Sequence, residues 1–115
     1  MPTERFVCLA SGVGIMMALL FIGAHGVPPG WDKVAHFVSF SLITALLWRG
    51  TAGQARCVVV GAVIGVAALL ELHQALQVAA GSALTDFVTD ASAALAAGLV
   101  LFVRRKTLCA ESSQP

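Results

Sequence analysis

Asp32, Lys33 and His36 put a carboxylate, an ammonium and an imidazole within five positions of one another. On a helix, Asp32 and His36 stand four residues apart and Lys33 and His36 three apart, so all three share one face. Glu71 and Gln74 repeat the three-residue spacing further along, and Asp86 and Asp90 the four-residue spacing. Carboxylates gathered around a histidine can hold a polar ligand, move a proton or act as general acid and base. The chain has no nucleophile motif, phosphate-binding loop or dinucleotide fingerprint, which weakens the enzyme reading.

The setting of these residues is unusually apolar. Of 115 residues, 58% are hydrophobic and 11% are charged, against about 25% charged in an ordinary soluble domain. A chain this short and apolar has too few polar groups to cover its surface, so it reads as one compact, all-α, polytopic membrane unit over residues 1–106. Four apolar runs, near residues 6–24, 33–48, 57–79 and 86–103, predict four transmembrane helices. The first could be a signal peptide, but it is longer than a usual signal core. The second is short, yet Trp31 and Trp48 lie about 25 Å apart on a helix and suit the two membrane interfaces. Residues 25–33, with Pro28, Pro29 and Gly30, read as a loop, and residues 49–56 and 80–85 as short turns. The polar tail 107–115 is expected to be disordered and cytoplasmic.

Basic residues set the expected orientation. In a four-span arrangement Arg5, Arg49, Arg56, Arg104, Arg105 and Lys106 share one side and Lys33 lies on the other. The positive-inside rule then places both termini of a multi-pass protein in the cytoplasm. Cys8, Cys57 and Cys109 fall toward that reducing side, so no disulfide is expected. There is no basic patch interleaved with aromatics, so no nucleic-acid partner is expected.

This topology gathers Asp32, Lys33, His36, Glu71, Gln74, Asp86 and Asp90 in the outer half of the membrane or at its surface. Counting from the expected helix ends, Glu71 lies about 12 Å deep and His36 and Asp90 about 5 Å. Glu71 becomes the floor of a pocket with the others at its mouth. A charge at a helix centre costs about 2.5–3.5 kcal/mol on insertion scales, so Glu71 must face protein or water, or be protonated. Its neighbour Gln74 is the expected hydrogen-bond partner, either for a ligand site or for a structural link between helices. Asp86 also suits a helix cap, and Asp90 needs a cation, Lys33 or protonated His36. His73 and Gln77 form a second stripe, with His73 read as a packing residue, and His25 carries no signal. Gly61 with Gly65, and Ala93 with Ala97 and Gly98, read as close helix-packing surfaces. No metal or cofactor is expected, because no close ligand pair such as His-x-x-x-His is present; the alternative is a metal site built from His36, His73 and the aspartates.

The series Asp32-Lys33-x-x-His36-x-x-x-Phe40, Glu71-x-x-Gln74 and Asp86-x-x-x-Asp90 resembles the VanZ-like membrane proteins over residues 31 to about 98. Two positions depart from that pattern. Ala80 stands where the family usually has an arginine, and Ala93 replaces a glycine. The missing arginine leaves Lys33 and His36 as the cations of the site. The resemblance implies a cell-envelope role and a link to glycopeptide (teicoplanin-type) resistance, and it brings no established reaction. The expected partner is a membrane lipid or amphiphilic envelope ligand. The alternatives are a membrane-embedded enzyme using Glu71 or Asp90 as base with His36 as acid, or a proton-coupled carrier. A carrier would be a homo-oligomer, since four short helices enclose little space.

Overall fold

A computed structural model describes residues 2–22, 28, 30–52, 56–77 and 83–112. The chain is all-α, with helices α1 (Pro2–Ile22), α2 (Asp32–Gly50), α3 (Arg56–Gln77) and α4 (Ala83–Ser112). Residues 25–27 and 29 of the expected loop, the turn residues 80–82 with Ala80, and residues 113–115 lie outside the described residues. Two helices are long and apolar enough to cross a membrane, over Arg56–Leu76 and Leu84–Ala110. The buried share of each most apolar stretch is only 28%, far below that of a core helix in a soluble protein. Their outward faces carry Leu69, Leu72, Leu76, Leu95, Leu99 and Val100, all well exposed. Apolar surface on that scale needs a cover.

The helix starts follow local chemistry. Pro2 opens α1, where its missing N–H costs nothing. Ahead of α2, Gly30 takes φ +89°, a conformation that suits glycine. The Trp31 N–H then donates to the Pro28 carbonyl at 3.1 Å, closing the turn. At the other end Thr51 Oγ donates back to the Leu47 carbonyl at 2.9 Å and Ala52 adopts φ 57°, a left-handed helix stop.

α4 corrects the sequence reading. The expected span stops at 103 with a disordered tail from 107, yet the helix runs on through Arg104, Arg105 and Lys106 to Ser112. No proline or glycine interrupts residues 99–112. Hydropathy marks where the apolar run ends, and the backbone stays helical beyond it. Thr107 Oγ donates to the Arg104 carbonyl at 2.8 Å, and Lys106 lies 5.0 Å from the Phe102 ring centroid.

α2 is the central helix, packed most extensively on α4 and α1, with α3 held mainly by α4. Gly12 faces Leu47 and Gly50 faces Leu9, so α1 and α2 run antiparallel. Val60 lies against Gly98 while Glu71 lies near Asp90, so α3 and α4 also run antiparallel. Lys33 meets Asp86 and His36 meets Asp90, so α2 and α4 run parallel. The seam reads half-buried His36, then buried Phe40, Ile43 and Thr44 on α2, and buried Val63, Ala67, Leu70 and Glu71 on α3. On α4 it reads Asp86, Asp90, Ala93 and Ala94. Each set follows three- and four-residue steps, so every helix turns one stripe inward. Thr44 satisfies its own buried hydroxyl by donating to the Phe40 carbonyl at 2.7 Å.

The small residues divide differently from the sequence expectation. Ala93 and Gly98 are buried, and a Cβ on Gly98 would come 2.9 Å from Val60 Cγ2. Gly61 and Gly65 instead face outward, with nothing within 4 Å of an added Cβ. Among the described residues they are not a packing surface. Thermal unfolding in detergent tests this contrast. Gly98→Leu is expected to lose about 1–3 kcal/mol, while Gly61→Leu and Gly65→Leu should be neutral or slightly stabilising. Equal losses at all three positions would contradict the assignment of faces.

Candidate functional site

The polar end of the seam has two levels. At the outer level, the Lys33 ammonium contacts the Asp86 carboxylate and lies 3.5 Å from Asp32. Asp32 and Lys33 keep 44% and 39% of their side chains exposed, whereas Asp86 is buried. One turn further in, His36 Nδ1 lies 2.9 Å and 3.2 Å from the two carboxylate oxygens of Asp90. Asp90 has no exposed surface. The Phe40 ring, one turn on along α2, lies nearly parallel to the His36 ring, 6.4 Å between centroids. The pairing register arises because α2 and α4 enter this end together. Steps of three residues on α2 and four on α4 then bring Lys33 beside Asp86 and His36 beside Asp90.

Glu71 reaches the same inner level from α3. One ligand-type atom each from His36, Glu71 and Asp90 lies within 4.8 Å of the other two. Glu71 is 4% exposed, and both of its carboxylate oxygens are buried without a hydrogen-bond partner among the described residues. Gln74, the partner expected from the sequence, is only half-buried and does not bond to it. A buried polar group left unpaired costs about 1–3 kcal/mol. Glu71 carries that cost at both oxygens, whereas the Asp86 carboxylate has the Lys33 ammonium against it.

The levels also differ from the sequence expectation. His36 and Asp90 stand with Glu71, not at the mouth above it. α3 ends at Gln77 and α4 begins at Ala83, so Glu71 sits nearer its helix end and Asp90 farther from its own than the expected bounds imply. Asp86 lies inside α4 rather than capping it. His73 is exposed, and the side chain of Gln77 lies outside the described residues. The four-span topology already gathers these residues on one side, but a search for two close ligands on one helix misses the cluster, because each of three helices supplies one.

The opposite end of the bundle is basic. Arg5 and Arg49 line an open cleft with Glu4 and Ala52, and Arg56 lies 5.7 Å from the Trp48 ring centroid.

Comparison with known proteins gave no match: no family model fits the chain, and no curated protein or solved structure is significantly similar to it.

Proposed function

We propose that this chain is a four-span protein of the bacterial inner membrane, with both termini cytoplasmic, that binds the polar head of a lipid or amphiphile. The head group enters beside Lys33 and Asp32 and reaches the cluster of His36, Glu71 and Asp90. The observation that carries this reading is the buried, unpartnered carboxylate of Glu71 beside the His36–Asp90 pair. Its two oxygens accept hydrogen bonds, so the matching head group carries hydroxyl, amine or amide donors. Exposed Val34, Phe37, Leu76, Leu84 and Val88 stand on the same three helix ends and suit the apolar part of such a ligand. The likeness of the motifs to VanZ-like proteins supports an envelope role, including altered glycopeptide sensitivity.

Charge segregation supports the orientation, with Arg5, Arg49 and Arg56 at one end and Lys33 at the other. Reporter fusions after Gly53 and after Gly81 test it. Cytoplasmic activity at Gly53 and extracytoplasmic activity at Gly81 are expected, and the reverse at either position contradicts the topology.

Binding is tested by stripping lipid from the purified protein and adding back total bacterial inner-membrane lipid. A ligand at 100 times its Kd stabilises the fold by about 2.7 kcal/mol. The melting temperature should rise for the wild type and stay put for Glu71→Gln. Equal rises in both would remove the cluster from the binding site.

A further inference from the structure

We propose that His36, Glu71 and Asp90 form a binding site for one divalent transition-metal cation. The site stands on its own geometry and does not rest on the amphiphile reading. One imidazole and two carboxylates from three different helices converge within 4.8 Å. Ligand atoms about 2.0–2.2 Å from one ion stand roughly 3 Å apart when adjacent. The 2.9 Å contact from His36 Nδ1 to Asp90 Oδ1 is a hydrogen bond that an ion held by both groups would replace. Glu71 is the decisive member, because its two buried oxygens have no other partner among the described residues and lie beside the pair.

Charge balance points the same way. Two carboxylates and a neutral imidazole carry a charge of −2, which a divalent cation cancels in a region where uncompensated charge is costly. Lys33 does not serve this purpose, since it is already taken up by Asp86 and Asp32. The donor set narrows the metal. Imidazole favours transition metals over Mg²⁺ and Ca²⁺, and two carboxylates admit Mn²⁺ as well as Zn²⁺ and Fe²⁺. Three protein ligands leave at least one position for water or for an oxygen of a bound head group.

Mn²⁺ is the probe of choice, because the thiols of Cys8, Cys57 and Cys109 bind Zn²⁺ but bind Mn²⁺ weakly. Full-length, untagged protein is treated with chelator, exchanged into fresh detergent without lipid and titrated with Mn²⁺ by electron paramagnetic resonance. The wild type should bind one equivalent, with nitrogen hyperfine coupling from one imidazole. Loss of an outer-sphere partner already weakens metal affinity about 10–100-fold, so Glu71→Gln and Asp90→Asn should each weaken it at least about 100-fold. Glu4→Gln, at the opposite end of the bundle, should bind as the wild type does, and His36→Gln should lose the nitrogen coupling. Circular dichroism on each variant checks folding, and Glu71→Gln keeps the shape of the side chain. Absence of binding by the wild type overturns the proposal, as does unchanged Mn²⁺ affinity in folded Glu71→Gln. Neither result bears on lipid rebinding, which is measured separately.

Discussion

Glu71→Leu is expected to make the protein more stable. In lipid-stripped, chelator-treated protein the gain should be about 1–3 kcal/mol, the usual penalty of a buried polar group without a partner. Glu71 continues the α3 stripe of Val63, Ala67 and Leu70, all buried, and leucine has a similar volume. The same substitution should abolish ligand stabilisation and Mn²⁺ binding. Such an exchange of stability against binding is what a functional residue on a packed seam produces. A clear loss of stability in Glu71→Leu would instead make the carboxylate part of the scaffold. Denaturant or thermal unfolding of the two proteins under identical detergent conditions decides between them.

His36→Ala should have the opposite sign and the largest size. Asp90 has no exposed surface and His36 is its hydrogen-bond partner. Removing one member of a buried pair leaves the other uncompensated, at about 3–5 kcal/mol. The double variant His36→Ala/Asp90→Ala should recover part of that loss, because it removes the stranded charge. Lys33→Met should cost less, on the order of 1 kcal/mol, since the Lys33 side chain remains 39% exposed. If Lys33→Met proves more damaging than His36→Ala, the outer pair anchors α2 to α4 and the inner pair does not.

Much of the fold could be read from the chain because helices here are set by apolar runs. The runs placed α2 within two residues at each end, since Gly30 and the turn at Thr51–Ala52 bound it sharply. Where no such punctuation exists, the bounds drifted, as in the continuation of α4 past Val103. Spacing also identified the polar residues, because three- and four-residue steps fix which side chains share a face. Spacing on one helix does not say which face meets which neighbour. That is why Gly61 and Gly65, a good packing pattern, turn out to face outward. For the same reason Gln74 shares a helix face with Glu71 and yet makes no bond to it. Register between helices decides the rest. The close approach at Gly12 and Gly50, and the pairing of Lys33 with Asp86 and His36 with Asp90, depend on how the helices slide against each other.

The most direct test of a ligand-holding cluster is native mass spectrometry of wild type and Glu71→Gln, gently extracted side by side from the same membranes. Wild-type protein should retain an amphiphile adduct that survives mild activation, and folded Glu71→Gln should be released without it. Identical adduct patterns in the two proteins, or a wild type that carries no bound amphiphile at all, would contradict the account.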